Sequence, residues 1–244
     1  MKITTTEIPA GVMTAGIMLT LTTLVVGCGG SANGQAVHES TEVTGAGEHT
    51  FKGEVWADNW FALYLGDELI VEDSVPITTE RSFNAEVFTF KANYPLQLNF
   101  VVKDFKENDS GLEYIGSRRQ QMGDGGVIAQ FTDVDTGEVV AVTSADWKTL
   151  IIHKGPLDEA CAEASNPVAG EGPCAFEAID EPDDWKATNF DDSAWTPATE
   201  HSVGAVRPKH GYDEIRWNPS AEIVWSSDLE KDNTVLLRRA IDAP

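Results

Sequence analysis

The sequence predicts an all-β domain, and three stretches carry that expectation. Residues 54–74, EVWADNWFALYLGDELIVEDS, place Phe61, Leu63 and Leu65 on one side of an extended run, with Ala62 and Tyr64 on the other. Gly66-Asp67 then turns the chain into Leu69-Ile70-Val71, which is the signature of a hairpin whose turn needs the positive φ of glycine. A second alternation runs over Phe83–Phe90 and Leu96, Leu98, Phe100 and Val102, interrupted by the turn-forming Asn93-Tyr94-Pro95. A third pairs Val127–Phe131 with Val139–Val142 around Asp133-Val-Asp-Thr-Gly137. Period-two alternation bounded by turn residues is the sequence form of half-buried strands.

Between the second and third pairs, residues 104–126 are polar, charged and glycine-rich with no sustained period. They read as a long loop, and long loops in compact domains are often functional. Extended structure resumes at Leu150-Ile151-Ile152. Cys161 and Cys174 bracket AEASNPVAGEGP, a Pro- and Gly-containing stretch without a period. In an exported chain they are expected to form a disulfide, whose loop closure is worth roughly 3 kcal/mol in the chain-entropy model.

The third cysteine, Cys28, stands apart. Residues 8–27 are largely apolar and end in Leu24-Val25-Val26-Gly27 directly before it, followed by a Gly/Ser/Asn tract. This segment resembles a bacterial lipoprotein signal with its lipobox. The resemblance implies a signal peptide at 1–27, cleavage before Cys28 and acylation of its thiol. An uncleaved membrane helix is the competing reading, because about 20 apolar residues can span a bilayer. Residues 28–50 carry hardly any large apolar side chains and read as a flexible, lipid-anchored linker, which leaves 51–244 as the globular domain. Gly29 after the cysteine, rather than Asp, points within that family to the outer membrane or cell surface.

The chain carries 40 acidic and 17 basic residues, a net charge of −23. Such a field argues against nucleic acid and anionic membrane surfaces as partners. It is compatible both with plain solubility and with divalent-cation binding. The signatures Gly-x-Ser-x-Gly, His-Glu-x-x-His, Gly-x-Gly-x-x-Gly and the P-loop are all absent from the sequence, so a non-catalytic role is expected.

A wider resemblance rests on several segments in order. Ala57-Asp58-Asn59-Trp60 with the hairpin that follows, Thr143-Ser-Ala-Asp-Trp147-Lys148, Asp184-Trp185 through Asp191-Asp192-Ser193-Ala-Trp195, and the closing Ile223-Val-Trp225 and Val235–Arg239 resemble the galactose-binding-like jelly-roll β-sandwich domains that accompany large glycosidases. The resemblance covers about residues 51–242. It implies an accessory binding domain with Trp147, Trp185 and Trp195 packed inside, and the possibility of one structural calcium, which it does not place.

Candidate ligand contacts follow from the loop and the remaining aromatics. Tyr114, Arg118, Arg119, Gln121 and Asp124 combine an aromatic ring, two of the few basic side chains and polar hydroxyl-binding groups, a set suited to sugar hydroxyls or a carboxylate. Trp56 and Trp60 are further stacking candidates. Asp133, Asp135 and Glu138 form an oxygen-rich turn that could take a cation, although acids are also ordinary turn formers. Two roles are compatible with these features. One is a membrane-tethered module that recognises a carbohydrate or an envelope partner through loops at one end of a sandwich. The other is a structural or assembly lipoprotein that works by protein contacts alone.

Overall fold

The structure is a computed structural model that describes residues 36–77 and 83–244. The signal segment and Cys28 lie outside the described residues. Among the described residues no helix is long and apolar enough to cross a membrane.

Fourteen strands are described. They are β1 (Val37–Gly45), β2 (His49–Asp58), β3 (Trp60–Leu65), β4 (Glu68–Glu72), β5 (Ala85–Ala92), β6 (Leu96–Lys103), β7 (Gly126–Asp133), β8 (Val139–Val142), β9 (Lys148–Lys154), β10 (Glu177–Ala178), β11 (Thr196–Pro197), β12 (Thr199–His201), β13 (Ile223–Trp225) and β14 (Asp232–Ile241). They form two seven-stranded sheets. The first has the order β1-β5-β2-β7-β13-β12, with β8 also paired to β7, and the second the order β10-β9-β14-β6-β3-β4, with β11 also paired to β9. All pairings are antiparallel except β1 with β5.

The alternation read from sequence is the alternation of the fold. Phe51, Val55 and Ala57 of β2, Val127, Ala129 and Phe131 of β7, Phe61 and Leu63 of β3, and Leu98, Phe100 and Val102 of β6 all point into one core between the sheets. Phe100 and Phe131 meet across that core with ring centroids 6.4 Å apart. Inward positions of two twisted sheets interdigitate in this way because each strand's side chains alternate faces. The molecule is therefore an all-β sandwich.

Both outer faces are covered as well, which explains why residues out of phase with the core are apolar. Trp56 and Ile128 face a layer that contains Val206, Tyr212 and Trp217. Val101 and Leu236 face Trp185 and Trp195. Buried Arg238 fastens that second layer by donating to the carbonyls of Trp185 and Ala187 at 2.7 and 3.1 Å. Trp147, Trp185 and Trp195 are all packed in, as expected, and the Cys161–Cys174 disulfide is formed.

One expectation changes. The stretch 28–50, which composition reads as a linker, contains β1 and the start of β2. Strand β1 adds in parallel to the edge of β5, and His38 Nδ1 lies 2.7 Å from the buried Glu86 carboxylate. Edge pairing is paid in backbone hydrogen bonds and needs no large apolar side chains, so composition does not reveal it.

Candidate ligand pocket and buried carboxylate cluster

The segment 104–126 is held as a shaped loop at one end of the sandwich. Glu113 and Gln121 bridge it internally through reciprocal backbone N–H···O bonds of 3.1 and 3.2 Å, and the Gln121 amide donates to Glu113 Oε2 at 2.8 Å. The Gln120 amide reaches out of the loop to the carbonyls of Ala162 and Ala164 at 2.7 and 2.9 Å, which ties it to the disulfide segment.

A pocket of about 330 Å³ opens beside this loop, lined by Phe83, Tyr114, Arg119, Gln121, Lys209 and His210. The size is at the lower end of the small-ligand range. The Arg119 guanidinium sits 4.2 Å over the Tyr114 ring, and the Lys209 ammonium sits 4.2 Å from the Phe83 ring. Trp56 is fully buried below, and its indole N–H donates to the carbonyls of Phe83 and His210 at 3.1 and 3.0 Å. It joins two walls of the pocket.

Next to the pocket, three strand ends bring carboxylates together. Asp58 closes β2, Asp104 follows β6 and Asp124 precedes β7, and one oxygen from each lies within 4.8 Å of the others. Local backbone bonds set this geometry. The Asn59 N–H donates to Lys103 O and the Asp104 N–H to Asn233 O, both at 2.9 Å. Asp58 stands opposite Gly126 in the β2–β7 ladder. Asp58 and Asp104 are each about 1% exposed, and none of their four carboxylate oxygens has a hydrogen-bond partner.

Burial is the main force on these groups and pushes all three carboxyls up; it does so most strongly at Asp58 and Asp104. Asp124 adds to the rise at Asp58, whereas Lys209 opposes it. At Asp104 the negative charges of Glu113, Asp58 and Asp124 add to burial. The Phe105 N–H, which opposes the rise at Asp104, donates to Asn59 Oδ1 at 2.6 Å. Two neighbouring features belong to the same space. The side-chain oxygen of Asn233, in β14, is buried and unpartnered. Gly123 lies so close to Asp104 that a Cβ there would stand 1.7 Å from Oδ2, and the same point is 3.5 Å from Asn233 Oδ1.

The structure sorts the residues nominated from sequence. Tyr114, Arg119 and Gln121 come together in the pocket, and Asp124 joins the carboxylate cluster. Arg118 is exposed on another side of the loop, beside Ala162 to Ser165. Trp56 offers no face to a ligand, a correction with a plain cause: a buried indole with its N–H engaged is a structural prop. Trp60 packs on the outer face of the second sheet with Lys103 5.0 Å over its ring.

Asp133, Asp135 and Glu138 lie at the opposite end, around a concavity of about 500 Å³ that also involves His49 and Tyr94. There Asp133 Oδ1 accepts from the N–H groups of Asp135 and Thr136, both at 2.9 Å. Those bonds, led by Thr136, hold its carboxyl below the usual range. The turn satisfies its own acid. Sequence reasoning did not find Lys209, His210, Asp58, Asp104 or Asn233 as site residues. Asp58 and Asp104 end apolar runs and Asn233 precedes one, whereas Lys209 and His210 lie in a polar stretch and share no sequence signal with them. No protein-family model, curated protein or solved structure matches the chain.

Proposed function

We propose that the chain is a non-catalytic, membrane-tethered binding module of the cell envelope, of the galactose-binding-like sandwich class, that recognises a carbohydrate carrying a carboxylate. One observation supports this above others. In a chain of net charge −23, the pocket beside the 104–126 loop collects Arg119, Lys209 and the ring of Tyr114. A guanidinium pairs a carboxylate in two-pronged fashion, the aromatic ring accepts the apolar face of a sugar, and the Gln121 amide serves hydroxyls. At physiological salt, fields are screened over about 8 Å, so the distant acids weigh little against cations in direct contact. The resemblance of the segment ending at Cys28 to a lipoprotein signal supports the tether.

The test uses the full chain in detergent, titrated with polygalacturonate and with neutral amylose. Binding of the acidic polymer alone is expected, weakened roughly tenfold or more by Arg119→Ala or Lys209→Ala, since a charge-assisted contact is worth about 1.5–3 kcal/mol. Equal binding of both polymers, or none, contradicts the reading. A reproducible envelope protein partner in the absence of sugar supports the assembly role in its place. For the tether, Cys28→Ser is expected to release the protein from membranes.

A further inference from the structure

We infer that Asp58, Asp104 and Asp124, together with the side-chain oxygen of Asn233, form a site for one hard divalent cation of the calcium class. Buried polar atoms in folded proteins find partners, yet all four carboxylate oxygens of Asp58 and Asp104 and the amide oxygen of Asn233 lack one. These orphans come from three separate chain segments in both sheets, so no single turn creates them. Among the described residues, no ion pair closes on the three carboxylates; Lys209 and Arg207 act on them only at longer range.

Geometry agrees with a shared ion. Calcium holds oxygens at 2.3–2.6 Å, so donors on opposite sides of one ion stand about 5 Å apart, and the three carboxylates converge within 4.8 Å. Gly123 leaves the space beside Asp104 clear where any side chain would enter it. The donors are all oxygen, with no histidine or cysteine in the group, which favours a hard cation over zinc or copper. Three anions converging in a largely buried site repel one another strongly, and a divalent charge relieves that repulsion without protonating them. This inference does not depend on what the neighbouring pocket binds.

The test takes the full chain in detergent, stripped with EDTA, and titrates calcium chloride by calorimetry with magnesium chloride as comparator. Thermal unfolding is followed in EDTA and in calcium. One calcium per chain, a higher melting temperature with calcium and weaker binding of magnesium are expected. Asp58→Asn and Asp104→Asn should each weaken that site by roughly tenfold or more, given how strongly affinity follows ligand charge. Asp135→Asn, on the exposed turn at the other end, should leave it intact. Identical melting of wild-type protein in EDTA and calcium, with no stoichiometric heat, overturns the inference whether or not the variants fold. Equal losses in Asp104→Asn and Asp135→Asn reduce it to diffuse attraction by an acidic surface, and equal affinity for magnesium removes the calcium assignment.

Discussion

The β2–β7 ladder has an aspartate cluster at each end, and the two are opposites. Asp133 faces Phe51 at one end and Asp58 faces Gly126 at the other, roughly 24 Å apart at about 3.4 Å per residue. Asp133 is served by two backbone N–H groups of its own turn and is held below the usual carboxylate range. Asp58 and Asp104 have no partners and are pushed well above it. Asp73 falls between them. Its Oδ1 accepts from the Val75 N–H at 2.8 Å while Oδ2 has no partner, and burial, with Glu86 nearby, pushes it up to about 7. Charge and residue type are the same in all three places. What differs is how deeply the carboxyl is buried and how many donors the local backbone supplies, and together these separate an acid that shapes a turn from one that needs something outside the chain.

The largest expected effect uses the intermediate case. Because the folded state keeps the Asp73 proton up to about pH 7 whereas an unfolded aspartate releases it near pH 4, the stability this group contributes is full below about pH 4. It is lost as pH rises toward 7, at up to roughly 1.4 kcal/mol per unit. Asp73→Asn should remove this slope, seen as a stability difference from wild type that grows with pH in denaturant titrations. A parallel pH profile for the two proteins would break the graded comparison.

Next in size is the disulfide. Removing it with Cys161→Ser and Cys174→Ser should cost about 3 kcal/mol for a loop of this length. Because Gln120 bonds to Ala162 and Ala164, proteolysis should accelerate within 104–126 before the 133–138 turn is touched. Nicking at the turn first would show that the two ends are not mechanically separate.

Two glycine substitutions sharpen the contrast further. Gly123→Ala pushes a methyl into the Asp104 carboxylate and should cost about 1–3 kcal/mol, as overpacking does. Gly137→Ala, at φ 75 with nothing within 4 Å of its new Cβ, carries only backbone strain and should cost about 1 kcal/mol. Thermal melts of both variants rank the two ends directly, and a larger loss for Gly137→Ala would contradict the crowding assigned to Asp104.

The same contrast explains what could be read from the sequence. The hairpin at Gly66-Asp67 and the alternation of Leu96, Leu98, Phe100 and Val102 were legible because a strand's pattern is local. The Asp133 turn was legible as an acidic turn for the same reason. The other end was not. Asp58 lies inside a strand-and-hairpin motif, Asp104 follows a strand and Asp124 sits in the glycine-rich loop, so only the register of β2 with β7 and the pairing of β3 with β6 bring them together. Tyr114, Arg119 and Gln121 were visible because one loop carries all three, whereas Lys209 and His210 reach the pocket through a distant segment tied by the Trp56 indole. Strand β1 escaped notice because parallel edge pairing leaves no mark on composition.

With the proposed cation, the Asp133 end is complete as the chain folds, while the Asp58–Asp104–Asp124 end is completed by the bound ion. Amide hydrogen exchange of the full chain in EDTA and in calcium chloride, read by peptide mass, tests it most directly. The account predicts slower exchange with calcium over residues 57–60, 104–106 and 122–126, with 133–138 unchanged. Protection that falls on 133–138, or that spreads evenly over the sandwich, would contradict it.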